Sequence, residues 1–123
     1  MIVAATPIQL ITASLHEVFG ERDPARRRTA MQRTFAVGVT FHDPEGTVTG
    51  HEALEAKIEA LYAGAPLDWA FLAAAPAAEV ADLGRATWTF GPPGAPAAVR
   101  GMDIGIIADG QIATMYTIVE PAP

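Results

Sequence analysis

Few side chains in this chain can carry chemistry. Asp103 stands in a run whose neighbours Met102, Ile104, Ile106 and Ile107 are all apolar. A carboxylate turned into such surroundings loses its hydration, and its pKa rises toward a range useful for acid–base work. β alternation equally allows Asp103 to point outward while Met102 and Ile104 face the core. Asp43 opens the segment Asp43-Pro44-Glu45-Gly46. Asp before Pro is also a favoured turn residue, so structural and functional readings of Asp43 stand level. His42 precedes it and faces the opposite side of the strand. His16 falls between Leu15 and Phe19 and reads as a boundary residue, while His51 serves a helix end or solvent. Three histidines so dispersed lack metal-ligand spacing, and no metal is expected. The chain has no cysteine, which removes thiol nucleophiles, disulfides and Cys-based zinc sites.

The elements that must position these residues follow from caps, turns and periodicity. Thr6-Pro7-Ile8-Gln9 forms a capping box with proline at the first helical position. Ile8, Ile11, Leu15, Val18 and Phe19 then recur at helical spacing, and Gly20 offers a left-handed stop. Asp23-Pro24 caps a second helix, with Met31 and Phe35 inward and Arg26, Arg27 and Arg28 on a solvated face. Val39 to His42 is a short strand ended by the turn at Asp43. A third helix starts near Gly50-His51 and runs to about Ala63, with Leu54, Ile58, Leu61 and Tyr62 as its buried stripe. Beyond Leu67 the helical period is lost. Trp69 and Phe71, Arg85 to Phe90, Val99 to Ala108 and Gln111 to Val119 read as four strands, the last two joined by Asp109-Gly110. Gly91 to Ala97, with Pro92, Pro93 and Pro96, is a loop on the rim of the sheet. The expected architecture is one α+β domain over residues 1–123, three helices followed by an antiparallel meander.

Composition narrows the function classes. The net charge of −6 argues against nucleic acid as a partner, because neutralising phosphates needs clustered Lys and Arg. Residues Met1 to Ala5 are apolar but lack the basic and long apolar segments of a leader. No run approaches the ~18 apolar residues of a membrane span, so a cytoplasmic protein without a membrane partner is expected. Half of the residues are hydrophobic, which provides a core. Phe41, Trp69, Phe71, Trp88, Phe90 and Met115 line a pocket or fill that core, and pattern alone favours the filled core.

The order of elements and several local motifs resemble the SnoaL-like branch of the NTF2-like superfamily. The resemblance spans about Ile8 to Ile118. It rests on Phe19-Gly20-Glu21-Arg22-Asp23-Pro24, Phe41-His42-Asp43-Pro44-Glu45-Gly46 and Gly50, then on Trp88-Thr89-Phe90-Gly91-Pro92-Pro93-Gly94, Gly101-Met102-Asp103 and Asp109-Gly110-Gln111-Ile112. It implies a cone-shaped barrel, three helices on a strongly curved and mainly antiparallel sheet, with an interior pocket and commonly a homodimer. In ketosteroid isomerases of this superfamily, carboxyl groups sit in stretches similar to those of Asp43 and Asp103. In its polyketide cyclases an aspartate on the strand matching Asp103 shuttles the proton.

Two departures limit what carries over. The isomerases use a tyrosine on the first helix, where the nearest position here is Leu15. The epoxide hydrolases of the superfamily need Arg and Asp two residues apart, whereas Arg100 and Asp103 are three apart and face opposite ways. The resulting expectation is a small-molecule pocket protein that moves protons on a hydrophobic carbonyl compound by cyclase or isomerase chemistry, with no cofactor. Asp103 is its acid/base and Asp43 a secondary carboxylate. Leu15, Phe19, Phe41, Ile58, Tyr62, Trp69, Trp88, Phe90 and Met115 line the site. The alternative is a non-catalytic domain of the same fold that binds a ligand or a partner. The strands beyond Leu67 carry few charges (Arg85, Arg100 and Glu120), so the outer sheet face is expected to join two copies.

Overall fold

A computed structural model of the chain describes residues 4–121; the reading of Met1 to Val3 as part of no leader lies outside them. The first helix, α1 (Pro7–Ala13), carries the full capping box, with Gln9 N donating to Thr6 Oγ1 at 3.1 Å and Thr6 N to Gln9 Oε1 at 2.9 Å. It runs on without a break into a π-helical segment, Ser14–Phe19. Its wider winding carries Gly20 N onto the Leu15 carbonyl at 2.8 Å. Gly20 therefore has φ −81°, a right-handed conformation and not the left-handed stop expected. Glycine is needed there for space instead, since a Cβ would lie 2.7 Å from Leu15 O.

Helix α2 (Pro24–Thr34) is capped by Asp23, which accepts from Arg26 N at 2.9 Å. The arginine run does not share one solvated face. Arg26 and Arg28 are exposed, but Arg27 is buried at 1 % exposure. Consecutive helical residues diverge by about 100°, so three in a row cannot all face water on a helix packed on one side. Arg27 donates to Glu55 at 2.6 Å, to the Glu21 carbonyl at 2.8 Å, and to Glu59, which ties α2 to α3 (His51–Gly64). Phe35, expected on α2, already has extended backbone and opens β1 (Phe35–Asp43). A short β2 (Gly46–Thr49) pairs back on β1 across the Pro44-Glu45 turn.

The remaining strands are β3 (Ala70–Ala73), β4 (Ala78–Val80), β5 (Leu83–Gly91), β6 (Val99–Ala108) and β7 (Gln111–Pro121). They form one seven-stranded sheet in the order β2-β1-β7-β6-β5-β3, with β4 also on β5. All pairings are antiparallel except β1 with β7, which is parallel, so the sheet is mixed and not a pure meander. The three helices pack on its curved inner face, an NTF2-like α+β cone. No helix among the described residues is long and apolar enough to cross a membrane.

Small residues decide where the helices touch the sheet. A Cβ on Gly84 would stand 2.7 Å from the Pro7 carbonyl, and one on Gly105 would stand 3.2 Å from Ile11 Cδ1. That end of the inner face is filled by Leu10, Ile11, Val18, Ile112 and Met115, part of the main core. Toward the other end Gly101 makes room for the Trp88 indole: a Cβ there would lie 2.1 Å from Cζ2. Gly101→Ala should push the ring out of place and lower stability by about 1–3 kcal/mol. A urea midpoint unchanged from wild type would show that the ring is free to move.

Candidate functional site

Between the helices and the open end of the sheet lies a cavity of about 710 Å³. Inward-facing positions at alternate residues supply its sheet wall: Trp88 and Phe90 from β5, Asp103 from β6, Thr117 and Val119 from β7. Leu15 and Phe19 come from the π-helical segment, Phe41 and Asp43 from the end of β1, Phe71 from β3, and Lys57, Ile58 and Leu61 from α3. The aromatic side is tightly joined, with Phe71 stacked on Phe90 at 4.2 Å and Phe19 on Phe41 at 5.6 Å. Space remains because α3 turns Ala53, Ala56 and Ala60 toward it, where larger side chains would fill it.

Asp103 stands between the filled end and the hollow end, at 4 % exposure. Its carboxyl accepts from Thr117 Oγ1, at 2.7 Å across the β6–β7 pair. Burial pushes its pKa up, against the opposing pull of the Thr117 hydroxyl and the nearby Trp88 N–H, to about 6. The Trp88 N–H nevertheless falls outside hydrogen-bonding geometry and has no partner. Arg100 lies exposed on the outer face, opposite in direction to Asp103.

Asp43 is differently placed. Both oxygens are engaged: Oδ1 accepts from Glu45 N at 3.0 Å and Oδ2 from Lys57 Nζ at 2.9 Å. Lys57 also donates to Glu45 at 2.8 Å. Burial alone would lower the Lys57 pKa, but the hydrogen bonds and charges of Glu45 and Asp43 outweigh it and raise it. The turn after β1 is thus pinned to α3 at the cavity wall.

Three residues expected to line the site lie elsewhere. Met115 is fully buried in the main core, because the inner face at its level is already covered by helix. Tyr62 donates its hydroxyl to the Phe19 carbonyl, and the Arg22 guanidinium sits 4.3 Å over its ring. Trp69 packs edge-on against Phe90 at 5.4 Å without reaching the cavity; the Arg22 guanidinium holds its carbonyl at 2.7 Å. The histidines are dispersed: His16 is exposed, His42 stacks on Tyr116 at 4.7 Å, and His51 Nε2 bonds the Phe35 carbonyl at 2.9 Å. Among the described residues no three His, Asp or Glu side chains group as metal ligands.

Two residues were not picked out from sequence. Lys57 had a signal, since it continues the Ala53–Leu61 face at helical spacing. Thr117 had none. A regular hairpin continued from Asp109-Gly110 sets Asp103 opposite Tyr116. One unpaired residue, Ala113, shifts the register beyond Ile107 and brings Thr117 there.

A curved, mostly antiparallel sheet wrapped on three helices in this order is the NTF2-like α+β cone fold. The sequence profile of the SnoaL-like domain family matches residues 12–115, and the chain belongs to that family. No protein of curated function matches the sequence. Among solved structures the chain is similar to a candidate isomerase of the SnoaL-like family from Agrobacterium tumefaciens, at 21% identity over 90% of this chain and 94% of that one, TM-score 0.81. It is similar to a candidate SnoaL-like polyketide cyclase from Jannaschia sp. CCS1, at 14% identity over 98% and 89%, TM-score 0.75. A third is a protein of ketosteroid isomerase-like fold from Catenulispora acidiphila, solved with trimethylamine, at 21% identity over 92% and 85%, TM-score 0.69. At these identities the likeness establishes the fold.

The raised pKa of Asp103 has a stability consequence with a definite sign. Below its ordinary value of 3.8 the carboxyl is protonated in both folded and unfolded chains, and burial carries no ionic penalty. Between 3.8 and about 6 the unfolded chain gives up this proton while the folded chain keeps it, so stability falls as pH rises and levels off above about 6. The loss at pH 7 is on the order of 3 kcal/mol. Asp103→Asn should therefore unfold at higher urea than wild type at pH 7, with the gain vanishing near pH 4. Equal stability at pH 7 would mean that the carboxyl is solvated.

Proposed function

We propose that the protein binds a hydrophobic carbonyl compound in this cavity and catalyses proton transfer on it, by chemistry of the isomerase or cyclase type. One observation carries the reading: a carboxyl at 4 % exposure, with pKa raised to about 6, on a sheet wall whose other side chains are apolar except Thr117, in a cavity large enough for a ligand. A general base is most effective with a pKa near the working pH, and burial without a cationic partner is the usual route to it. Asp103 acts as base when ionised and as acid after taking up a proton. The names of the Agrobacterium and Jannaschia proteins, isomerase and cyclase, support the same class.

Asp43 is the secondary carboxylate in this reading. With both oxygens held by Lys57 and the Glu45 amide, it fixes the shape of the cavity wall. Leu15, Phe19, Phe41, Ile58, Trp88 and Phe90 supply apolar contact to the ligand.

Chemistry at Asp103 should appear as deuterium exchange at the α-carbon of a simple hydrophobic ketone such as 1-tetralone, followed by NMR in D₂O. The rate should rise with pH and level off above about 6, as the carboxylate form fills. Asp103→Asn should slow it by at least ~10²-fold while binding survives. Exchange unchanged in that variant excludes the acid/base role, and wild type that binds without exchanging favours a ligand-binding domain.

A second reading concerns assembly. On the outer face Met102 pairs with Ile118 and Ile104 with Tyr116, and Ile118 and Tyr116 are 51 % and 46 % exposed. This apolar patch on adjacent strands fits a homodimer formed sheet to sheet. Sedimentation at micromolar concentration should show a dimer that Ile118→Lys dissociates; a monomeric wild type rules the dimer out.

A further inference from the structure

Asp103 is the one charged group of the cavity wall with no partner of opposite charge. Its Oδ1 accepts from the Thr117 hydroxyl and the Trp88 N–H lies nearby, both neutral, and among the described residues no cation reaches it. Three buried side-chain atoms are sealed from solvent without a partner, Ser14 Oγ, Glu55 Oε2 and Trp88 Nε1, and Oδ2 of Asp103 is not among them. The 4 % exposure that Asp103 keeps is therefore toward the cavity, whose wall it forms. A buried carboxylate is ordinarily paired, so an open oxygen here points to a cation that arrives from outside.

The charges around the cavity are in excess of one sign. Asp43, Glu45 and Asp103 line it against a single cation, Lys57, and no histidine takes part. Lys57 is held by the first two, at 2.9 and 2.8 Å. Arg85 and Arg100, on the strands that carry Trp88 and Asp103, are exposed on the outer face. A low-dielectric hollow with such a balance holds a negative potential. Its aromatic lining decides which cations can enter. Phe19 stacks on Phe41 at 5.6 Å and Phe71 on Phe90 at 4.2 Å, while Phe71 meets Trp88 edge-on at 5.2 Å. Trp88 lies opposite Gly101, which brings this aromatic run within two residues of Asp103 on the same face of the sheet. Ring faces attract an organic cation, and an apolar wall with one carboxylate replaces too little of the hydration shell of a small inorganic one.

We propose that the cavity is also a binding site for hydrophobic ammonium ions, amines on an apolar ring body, with the N–H donating to Asp103 Oδ2 and the body among the aromatic rings. The ligand supplies the counter-charge that the fold gives to Arg27 and withholds from Asp103. Binding of this kind needs no chemistry at carbon, so it does not rest on the reading of Asp103 as a base; only the blockade of that chemistry by an amine does. An ammonium ion favours the carboxylate over the carboxyl and lowers the Asp103 pKa on binding. Affinity therefore rises with pH through the range in which Asp103 ionises, then levels off. The groups that face Asp103 there are Thr117 and Trp88, with the Asp43, Glu45 and Lys57 cluster elsewhere on the cavity wall.

The test compares 2-aminotetralin with 2-methyltetralin, which puts a methyl group where the ammonium stands, by tryptophan fluorescence titration of the full chain. At about pH 7.5 wild type should bind the amine at least ~10-fold more tightly. At about pH 5 the amine should bind ~10-fold more weakly than at pH 7.5, and the methyl compound within about twofold of its earlier value. Asp103→Asn should remove the preference. Glu45→Gln, which takes one negative charge from the exposed rim, should keep it within about twofold. Equal losses in the two variants would assign the preference to the general field and overturn the contact at Asp103. No preference in wild type, an affinity indifferent to pH, or no binding of either compound overturns it as well. In wild type that exchanges 1-tetralone, saturating 2-aminotetralin should stop the exchange; exchange that persists places the amine elsewhere and overturns the site. Amine preference without any exchange leaves the site standing and removes the proton-transfer reading. Exchange without amine preference does the reverse.

Discussion

The register of β7 against β6 is the constraint on which the rest of this molecule depends. Side chains alternate along a strand, so a slip of one residue exchanges the inner and outer faces over everything beyond it. The unpaired Ala113 makes that slip early in β7. Because of it Met115 fills the core, Thr117 meets Asp103 and Val119 reaches the cavity, while Tyr116 and Ile118 turn outward. Without it Tyr116 would be driven against Asp103 and the hydroxyl of Thr117 would face solvent. One extra residue thus determines both the polarity of the site and the apolar character of the opposite face.

The structure handles its buried charges in two contrasting ways. Burial alone would lower the Arg27 pKa, but Glu55 and Glu59 outweigh it and raise it, so the guanidinium stays charged. That arrangement fixes how α3 lies against α2, and with it the direction in which Lys57 and the alanines of α3 point. Asp103 receives a single neutral hydroxyl and no cation. Its ionised form is left under-compensated, and this is the state that a proton carrier requires. The difference is one of partners, not of depth, since both groups are almost fully buried.

Most of the fold was legible in the sequence because its punctuation is local. The Thr6 and Asp23 caps, the Gly64 and Pro66 stop and the Asp109-Gly110 turn act within a few residues, and each marks an element end in the structure. What escaped was decided over longer distances. The π-helical winding after Ala13, the parallel pairing of β1 with β7 and the bulge at Ala113 leave no mark in a hydrophobic pattern. Arg27 escaped for a related reason: a charged run signals solvent until a helix with two glutamates is known to pack across it. At the site, the inward direction of Asp103 was one of two outcomes that alternation allowed. The placement of Trp69 and Tyr62 against Arg22, away from the cavity, depended on a loop whose path no periodicity describes.

The stretch of α3 that carries Ala53, Ala56 and Ala60 gives the cavity two walls of unlike character. The sheet wall is locked, because every residue on it is held in place by strand register. The helix wall is defined by atoms that are missing, and Ala56 and Ala60 on it are exposed. Exchange of these alanines for longer side chains would alter the girth of an acceptable ligand and leave the carboxyl and its neighbours untouched. Under the proposed function, the size of the ligand and the proton transfer would be set by separate walls, the helix and the sheet.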